Sequence, residues 1–416
     1  MSLPSASNSP ASDPSAPSEN LFGDRSFVFY LGARSFSEYS YQIATVAVGW
    51  QIYELTGSAF QLGMVGLVQF IPSAVLVFAA GHAADRYDRR RVAQICQLSE
   101  ALINACLAWG TFAGWLTAPE IFAGLTLLGI TAAFEGPAGS ALLPGIVPDG
   151  SLQRATAISS GFFQGAAISG PALGGIAYAI APGAPYVLMA MCSLLAGTLS
   201  GLIRLRRAVS AKEPPTSDDL FAGVRFVRNN PAILGTISLD LFAVLLGGAT
   251  ALLPIYAHDI LQTGPWGLGI LRAAPAAGAL LMTAALARHA IKRRVGMRMF
   301  QAVIIFGLAT VVFALSHAIW LSVLALALMG AADMVSVVIR TSLVQLATPD
   351  AMRGRVGAVN FLFINASNQL GQFESGLTAA LLGAMPAAVL GGVGTVAVAL
   401  LWMKLFPALR NVERLE

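Results

Sequence analysis

The sequence predicts an all-α membrane protein of twelve transmembrane helices, arranged as two pseudo-symmetric six-helix bundles. Three observations predict it. Apolar runs of about 20 residues, the length that crosses a bilayer core, recur along the chain. Basic residues are confined to every second connection. A loop pattern also repeats in the two halves at an offset of 201 positions. Of 416 residues, 56% are hydrophobic and 11% are charged, whereas an ordinary soluble domain carries about 25% charged residues. The chain has too little polar surface to face water all round.

Residues 1–21 are rich in Ser, Pro and Ala, with no basic start and no apolar h-region. They read as a disordered cytoplasmic tail, not a cleaved signal. Spans follow near 27–50, 60–82, 92–114, 119–143, 155–179 and 186–204, then near 232–257, 266–288, 297–317, 319–345, 356–381 and 386–405. Short turns such as Thr56–Gly57–Ser58 and Thr263–Gly264–Pro265 join some of them. The polar stretch 205–230 links an N-terminal bundle (22–204) to a C-terminal bundle (231–406), and 407–416 form a second cytoplasmic tail. Within the linker, Phe221–Val227 is expected to form a short amphipathic helix on the membrane surface.

Orientation comes from the 25 Lys and Arg residues. Apart from Arg34, Arg272 and Arg340, which lie within spans, all fall in the termini or around every second connection. The alternate connections contain none. By the positive-inside rule both termini are cytoplasmic, as an even number of spans requires. This distribution also accounts for the formal charge of +4 without invoking nucleic acid. The setting that fits is a bacterial inner membrane.

The repeat lies in the loops after the fourth and tenth spans. PDGSLQRATAIS from Pro148 matches PDAMRGRVGAVN from Pro349, aligning Asp149 with Asp350 and Arg154 with Arg355. At nearly the same offset Glu38 meets Asp240. Two matched bundles are able to rock about a shared central cavity.

Nine ionisable residues fall inside spans: Arg34, Glu38, Glu100, Glu135, Asp240, Arg272, Asp333, Arg340 and Glu374. At about 2.5–3.5 kcal/mol each at mid-membrane, nine unpaired charges cost on the order of 25 kcal/mol. They must pair, take up protons or line water. Arg34 and Glu38 share a helix face four residues apart, with Gln42 continuing it. This is either a proton or substrate site, or a static pair that neutralises both charges. Asp240 shares these alternatives. Asp333 and Arg340 share a face of the tenth span, and Arg340 is expected to snorkel at its cytoplasmic end. Arg272 either attracts an anionic group or pairs with an acid. Glu135 precedes Pro137, which opens local backbone to a cavity. Glu100 is expected to face a neighbouring helix. In the eleventh span Asn360, Ser367, Gly371, Glu374 and Thr378 form a polar stripe, either a hydrogen-bonded seam or a cavity lining, with Asn365 and Gln369 as further cavity candidates.

Cys96, Cys106 and Cys192 fit no zinc or disulfide spacing. The four histidines lie at span ends, and no metalloprotease, nucleotide-binding or nucleophile-elbow motif occurs. Metal chemistry and a membrane-embedded lipid enzyme are therefore disfavoured, and a non-transporting sensor leaves the intramembrane charges unexplained.

The second connection reads GHAADRYDRRR. Gly81, Asp85, Arg86, Arg89 and Arg90 resemble motif A of the major facilitator superfamily, with Ala83 for the usual Leu and Asp88 for the second Gly. Gly170, Pro171, Gly174 and Gly175 resemble the core of motif C of its antiporters. The segments from Leu239, Gly269 and Asp333 are similar to the bacterial branch of drug:proton antiporters and siderophore exporters that includes the enterobactin exporter. The resemblance covers 22–406. It implies a conformational switch at motif A, with Asp85 near the N-terminus of the eleventh helix around Arg355–Val356.

The expected function is secondary active transport: proton-coupled efflux of a small organic molecule (a siderophore, drug or metabolite) by alternating access. The proton gradient is the energy source and no cofactor is needed. Glu38 and Asp240 are the proton-coupling candidates. Arg34, Arg272, Glu135, Asp333, Asn365, Gln369 and Glu374 are charge partners or substrate contacts. An uncoupled facilitator or an importer is the alternative. The expected partners are the substrate and the bilayer, with the monomer as the working unit.

Overall fold

The computed structural model describes residues 21–414 except 149, 206–216, 290, 292 and 350–351. The expected tail at 1–20, most of the linker's first half, and both aspartates of the loop repeat therefore lie outside the described residues. The described chain is a succession of helices with no strand. They are α1 (Arg25–Thr56), α2 (Ala59–Arg86), α3 (Arg89–Ala113), α4 (Ala118–Ser140), α5 (Leu152–Ile180) and α6 (Ala184–Leu202). After a connecting helix, Ser217–Asn229, come α7 (Pro231–Leu246), α8 (Gly264–Arg288), α9 (Val295–Ala314), α10 (Ile319–Ala347), α11 (Arg353–Leu382) and α12 (Ala384–Leu405).

Local chemistry fixes the boundaries. Asp24 accepts a hydrogen bond from the Ser26 amide at the start of α1, and Ser58 one from Gln61 at the start of α2. Asp88, standing where motif A has its second Gly, accepts from the Arg90 amide and opens α3. Thr117 and Glu120 form a capping box on α4. These side chains satisfy amides that the first helical turn leaves unpaired. Gly57 and Gly114 end α1 and α3 in the left-handed region, where a side chain would be strained.

Among the described residues, eight segments are long and apolar enough to cross a membrane: those in α2, α4, α6, α8, α9, α10 and α12, and Pro231–Ile260. The remaining long helices, α1, α3, α5 and α11, carry polar or charged side chains along their length, which lowers their hydropathy. α7 is not a continuous rod. It breaks after Leu246 at Gly247–Gly248 and proceeds through a 3₁₀ turn and a π turn to Ile260. The break brings the backbone close to α11, where a Cβ on Gly248 would lie 2.5 Å from the Gly371 carbonyl oxygen.

Packing falls into two groups. α1 packs on α5 and α6, α3 on α4 and α6, and α2 on α4. Similarly α8 packs on α10, α9 on α10 and α12, and α7 on α11 and α12. The groups meet where α2 crosses α11 and α5 crosses α8. Away from the chain termini these crossings are backbone-close. A Cβ on Gly63 would lie 2.9 Å from Gly376 Cα, and one on Gly175 would lie 2.5 Å from the Pro265 carbonyl oxygen. Toward the termini Gly161 and Gly165 of α5 and Gly357 of α11 have nothing within 4 Å. The apolar core follows the same pattern. One cluster joins both groups on the far side, including Ile43, Trp50, Leu252, Tyr256 and Phe313. On the terminal side it separates into one cluster around Phe27, Leu31 and Ile146 and another around Met299, Phe300 and Leu409. Among the described residues the apolar core is thus continuous on the far side and divided on the terminal side.

The connecting helix differs from expectation. Its apolar face is covered by protein: Val227 is buried with Ile233, Val344, Val356 and Val359, and Gly223 lies against the Arg355 carbonyl.

Candidate functional site

Between the two groups α1, α2, α4, α8 and α11 enclose a cavity of about 80 Å³. Tyr41, Thr45, Gln69, Arg272, Gln369 and Gln372 supply its polar lining. Glycines make the space. A Cβ on Gly49 would come within 3.2 Å of Pro254 and 3.7 Å of Arg272 Nη2, and one on Gly66 would press on Gln369 and Gln372. The Arg272 Nε and the Gln369 Oε1 are buried without a hydrogen-bond partner among the described residues. Arg272 and Gln369 are thus brought to the cavity as the sequence suggests. Gln69 and Gln372 join them unforeseen, because each looks like an isolated amide in its own helix.

Glu38 lies on α1 one turn toward the termini from Gln42, which donates a 2.7 Å hydrogen bond to Glu38 Oε1. Among the described residues Arg34 and Glu38 form no ion pair, although they share a face. Arg34 instead lines a separate cleft of about 550 Å³ on the terminal side with Ser159 and Gln164, its Nη1 3.1 Å from where a Cβ on Gly139 would stand.

Glu135 lines none of the cavities described above, and Pro137 does not end α4, which continues to Ser140. The Glu135 carboxylate accepts from the Ser37 hydroxyl at 2.7 Å and from Gln97 at 2.8 Å, while Ser200 donates to Gln97. Glu100 of α3 is buried near Glu135 of the neighbouring α4, and it adds to the polar cluster there.

In the second group Arg340 is ion-paired with Asp240, both being buried. This corrects the expected snorkelling. The α7 carboxylate supplies the countercharge, so the guanidinium turns inward and not along α10 to the interface. Asp333 does not take that role; it lines a small cavity beside Asp240 with Ser336. The α11 stripe divides. Gly371 packs on α7, whereas Ser367 bonds the Ile364 carbonyl and Glu374 accepts from Thr378 at 2.8 Å, both within α11 itself. Asn365 is half-buried and Asn360 lines a cleft with Thr341 and Gly357.

The motif C residues divide: Gly170 and Gly174 pack on α1 against Gln42 and Ile43, while Pro171 and Gly175 stand at the tight crossing with α8, against Gly269 and Pro265. Of motif A, the side chains of Gly81 and Asp85 lie outside what is described. Arg89 donates to the Ala141 carbonyl at 3.4 Å and Arg90 to Ile203 at 3.0 Å, so both tie α3 to chain ends on the terminal side. Arg86 and Arg154 are exposed, and Arg355 contacts the Met352 sulfur.

On the sealed side Tyr53 of α1 donates a hydrogen bond to Asp259 at the end of the α7 segment. His258 Nδ1 lies 2.6 Å from Asp259, and its ring packs on Trp50. This latch across the groups was not anticipated, since no sequence pattern connects Tyr53 to Asp259.

A family model described as transmembrane secretion effector matches residues 22–415. The chain belongs to that family, within the major facilitator superfamily. It is 29% identical over 396 residues to the enterobactin exporter EntS of Citrobacter koseri, covering 92% of each chain. It is 27% identical over 353 residues to the multidrug efflux pump Tap of Mycolicibacterium fortuitum, covering 80% of this chain and 84% of the pump. The fold matches the nucleoside transporter NupG with a TM-score of 0.70 at 15% identity, over 91% and 99% of the two chains. A bacterial homologue of the iron transporter ferroportin matches with a TM-score of 0.68 at 18% identity, over 93% and 99%. This chain is accordingly a multi-pass membrane transporter and not an enzyme.

Proposed function

We propose that the chain is a proton-coupled exporter that moves a small organic molecule out of the cytoplasm by alternating access of the central cavity. Twelve crossings in two six-helix units, 22–204 and 231–406, would work as a monomer with both termini cytoplasmic. The observation that carries the reading is the apolar core, continuous on one side of the cavity and divided on the other. Two groups packed in this way can exchange the sealed side for the open one by rocking on the α2–α11 and α5–α8 crossings. The relatives named for enterobactin and drug efflux support export as the direction.

Glu38 is the leading coupling group. Its hydrogen-bond partner is a neutral amide, so proton gain or loss changes the net charge beside the cavity. Asp240 is coupled to protons only through its ion pair, because protonation there must release Arg340. The test is Glu38→Gln in inverted vesicles supplied with a fluorescent efflux substrate in the outside medium. The expected result is loss of gradient-driven uptake with expression and melting temperature unchanged. Undiminished uptake in that variant removes Glu38 from the mechanism. Wild-type uptake that survives collapse of the gradient points to an uncoupled facilitator.

A further inference from the structure

We infer that the central cavity accepts the anionic group of its substrate, a carboxylate or comparable oxyanion, on the guanidinium of Arg272. This rests on the reading of that cavity as the transport site. Arg272 projects from α8 into the cavity, and its Nε is buried with no hydrogen-bond partner. No carboxylate comes within ion-pairing distance among the described residues, and the polar groups that line the cavity with it are a phenol, a hydroxyl and amides. The lining thus holds one positive charge and no negative one.

The same fold shows what a structural arginine looks like. Arg340 is also buried in the helical core, and Asp240 pairs with it. A buried guanidinium without a countercharge is unfavourable in a membrane interior, so Arg272 is retained at a cost that a bound anion would offset. A planar guanidinium fork matches two oxygens of one carboxylate. Gly49 lies against Nη2, and a Cβ there would stand in ordinary contact with it at 3.7 Å. The unpartnered Gln369 Oε1 marks an amide that is free to turn its NH2 toward a ligand oxygen. Glu38 sits a turn beyond Tyr41 on α1 and does not line the cavity. Its charge state would bias an anion held at Arg272 without direct contact.

The experiment is equilibrium binding of radiolabelled benzoate to the full chain in lipid nanodiscs, competed by benzamide and by benzylamine. These three aromatic probes differ in charge but hardly in shape. Benzoate is expected to bind in preference to the other two. Arg272→Gln is expected to weaken it by about ten- to a hundredfold, as removal of a charge-assisted hydrogen bond does. Arg272→Lys is expected to lose less, and Arg298→Gln, at an exposed position on α9, to lose nothing. The melting temperature of ligand-free Arg272→Gln is expected to equal or exceed that of the wild type, since an unpaired charge has been removed. A fall in melting temperature would identify Arg272 as a structural residue and overturn the inference. So would absence of charge preference, failure of benzoate to bind, or binding that survives in Arg272→Gln. Counterflow of the neutral or cationic probe in proteoliposomes would show in those cases that the transport reading stands while the anion inference falls.

Discussion

Gly175→Ala should open the sealed side of the molecule. Gly175 stands where α5 crosses α8, and a methyl group there would lie 2.5 Å from the Pro265 carbonyl oxygen and 3.1 Å from Trp266 Cα. Both are backbone atoms and neither can rotate away. The helices must part by roughly 1 Å to restore an ordinary carbon–oxygen separation. Overpacking of this kind costs about 1–3 kcal/mol. The cost falls only on the conformer in which the crossing is closed, so the equilibrium shifts toward the alternative by about five- to 150-fold. The assay uses a chain whose three cysteines (Cys96, Cys106 and Cys192) are replaced by serine and whose cavity-lining Thr45 is changed to Cys. A membrane-impermeant maleimide is applied from the side opposite the termini. Labelling should rise at least about fivefold in Gly175→Ala. It should stay at the reference level in Gly161→Ala, on the same helix but with nothing within 4 Å. Equal labelling in the two variants, with both folded, would refute the argument that this crossing holds the side shut.

Other outcomes follow from the buried contacts. Arg340→Ala should destabilise the protein by about 3–5 kcal/mol, because it leaves the Asp240 charge buried alone, whereas Asp240→Asn with Arg340→Met should recover most of that loss; detergent melting curves measure both. Tyr53→Phe removes the hydroxyl that joins α1 to Asp259 and should raise labelling from the sealed side with little change in melting temperature. Glu100→Gln supplies a permanent donor beside Glu135 and should alter stability by less than about 1 kcal/mol, while Glu100→Ala should cost about 1–3 kcal/mol by leaving polar groups unpaired, again read by melting.

The helices were legible because each rests on information local to it. An apolar run of the right length behind a capping Ser58 determines α2, and a capping Asp88 with a left-handed Gly114 bounds α3, with no reference to neighbours. The basic residues gave the alternation of connections for the same reason. Pairing was not legible. Sharing a face at spacing four put Arg34 beside Glu38, yet Gln42 is the nearer partner and Arg34 turns to its own cleft. Spacing seven joined Asp333 to Arg340, yet the acid that meets Arg340 lies 100 residues earlier in the chain, on α7. Periodicity specifies a direction around one helix axis. It carries no information about which neighbouring helix stands there. Glu100 was read as facing a neighbouring helix, but which side chain of that helix it meets, Glu135 of α4, was equally out of reach.

The buried charges sort by what each requires of its surroundings. Asp240 and Arg340 neutralise one another and hold α7 to α10 in any conformer that keeps those helices together. Glu135 is served by hydroxyl and amide donors from α1 and α3, with Glu100 buried nearby. Glu38 is served by an amide that tolerates either charge state. Arg272 points into the cavity between the two helical groups, where the enclosing atoms would change if the groups rock as proposed. A permanent ion pair in that position would resist such movement by adding a bond to break in each cycle. An anion carried by the substrate would neutralise the guanidinium while bound and leave no such pair behind when it departs.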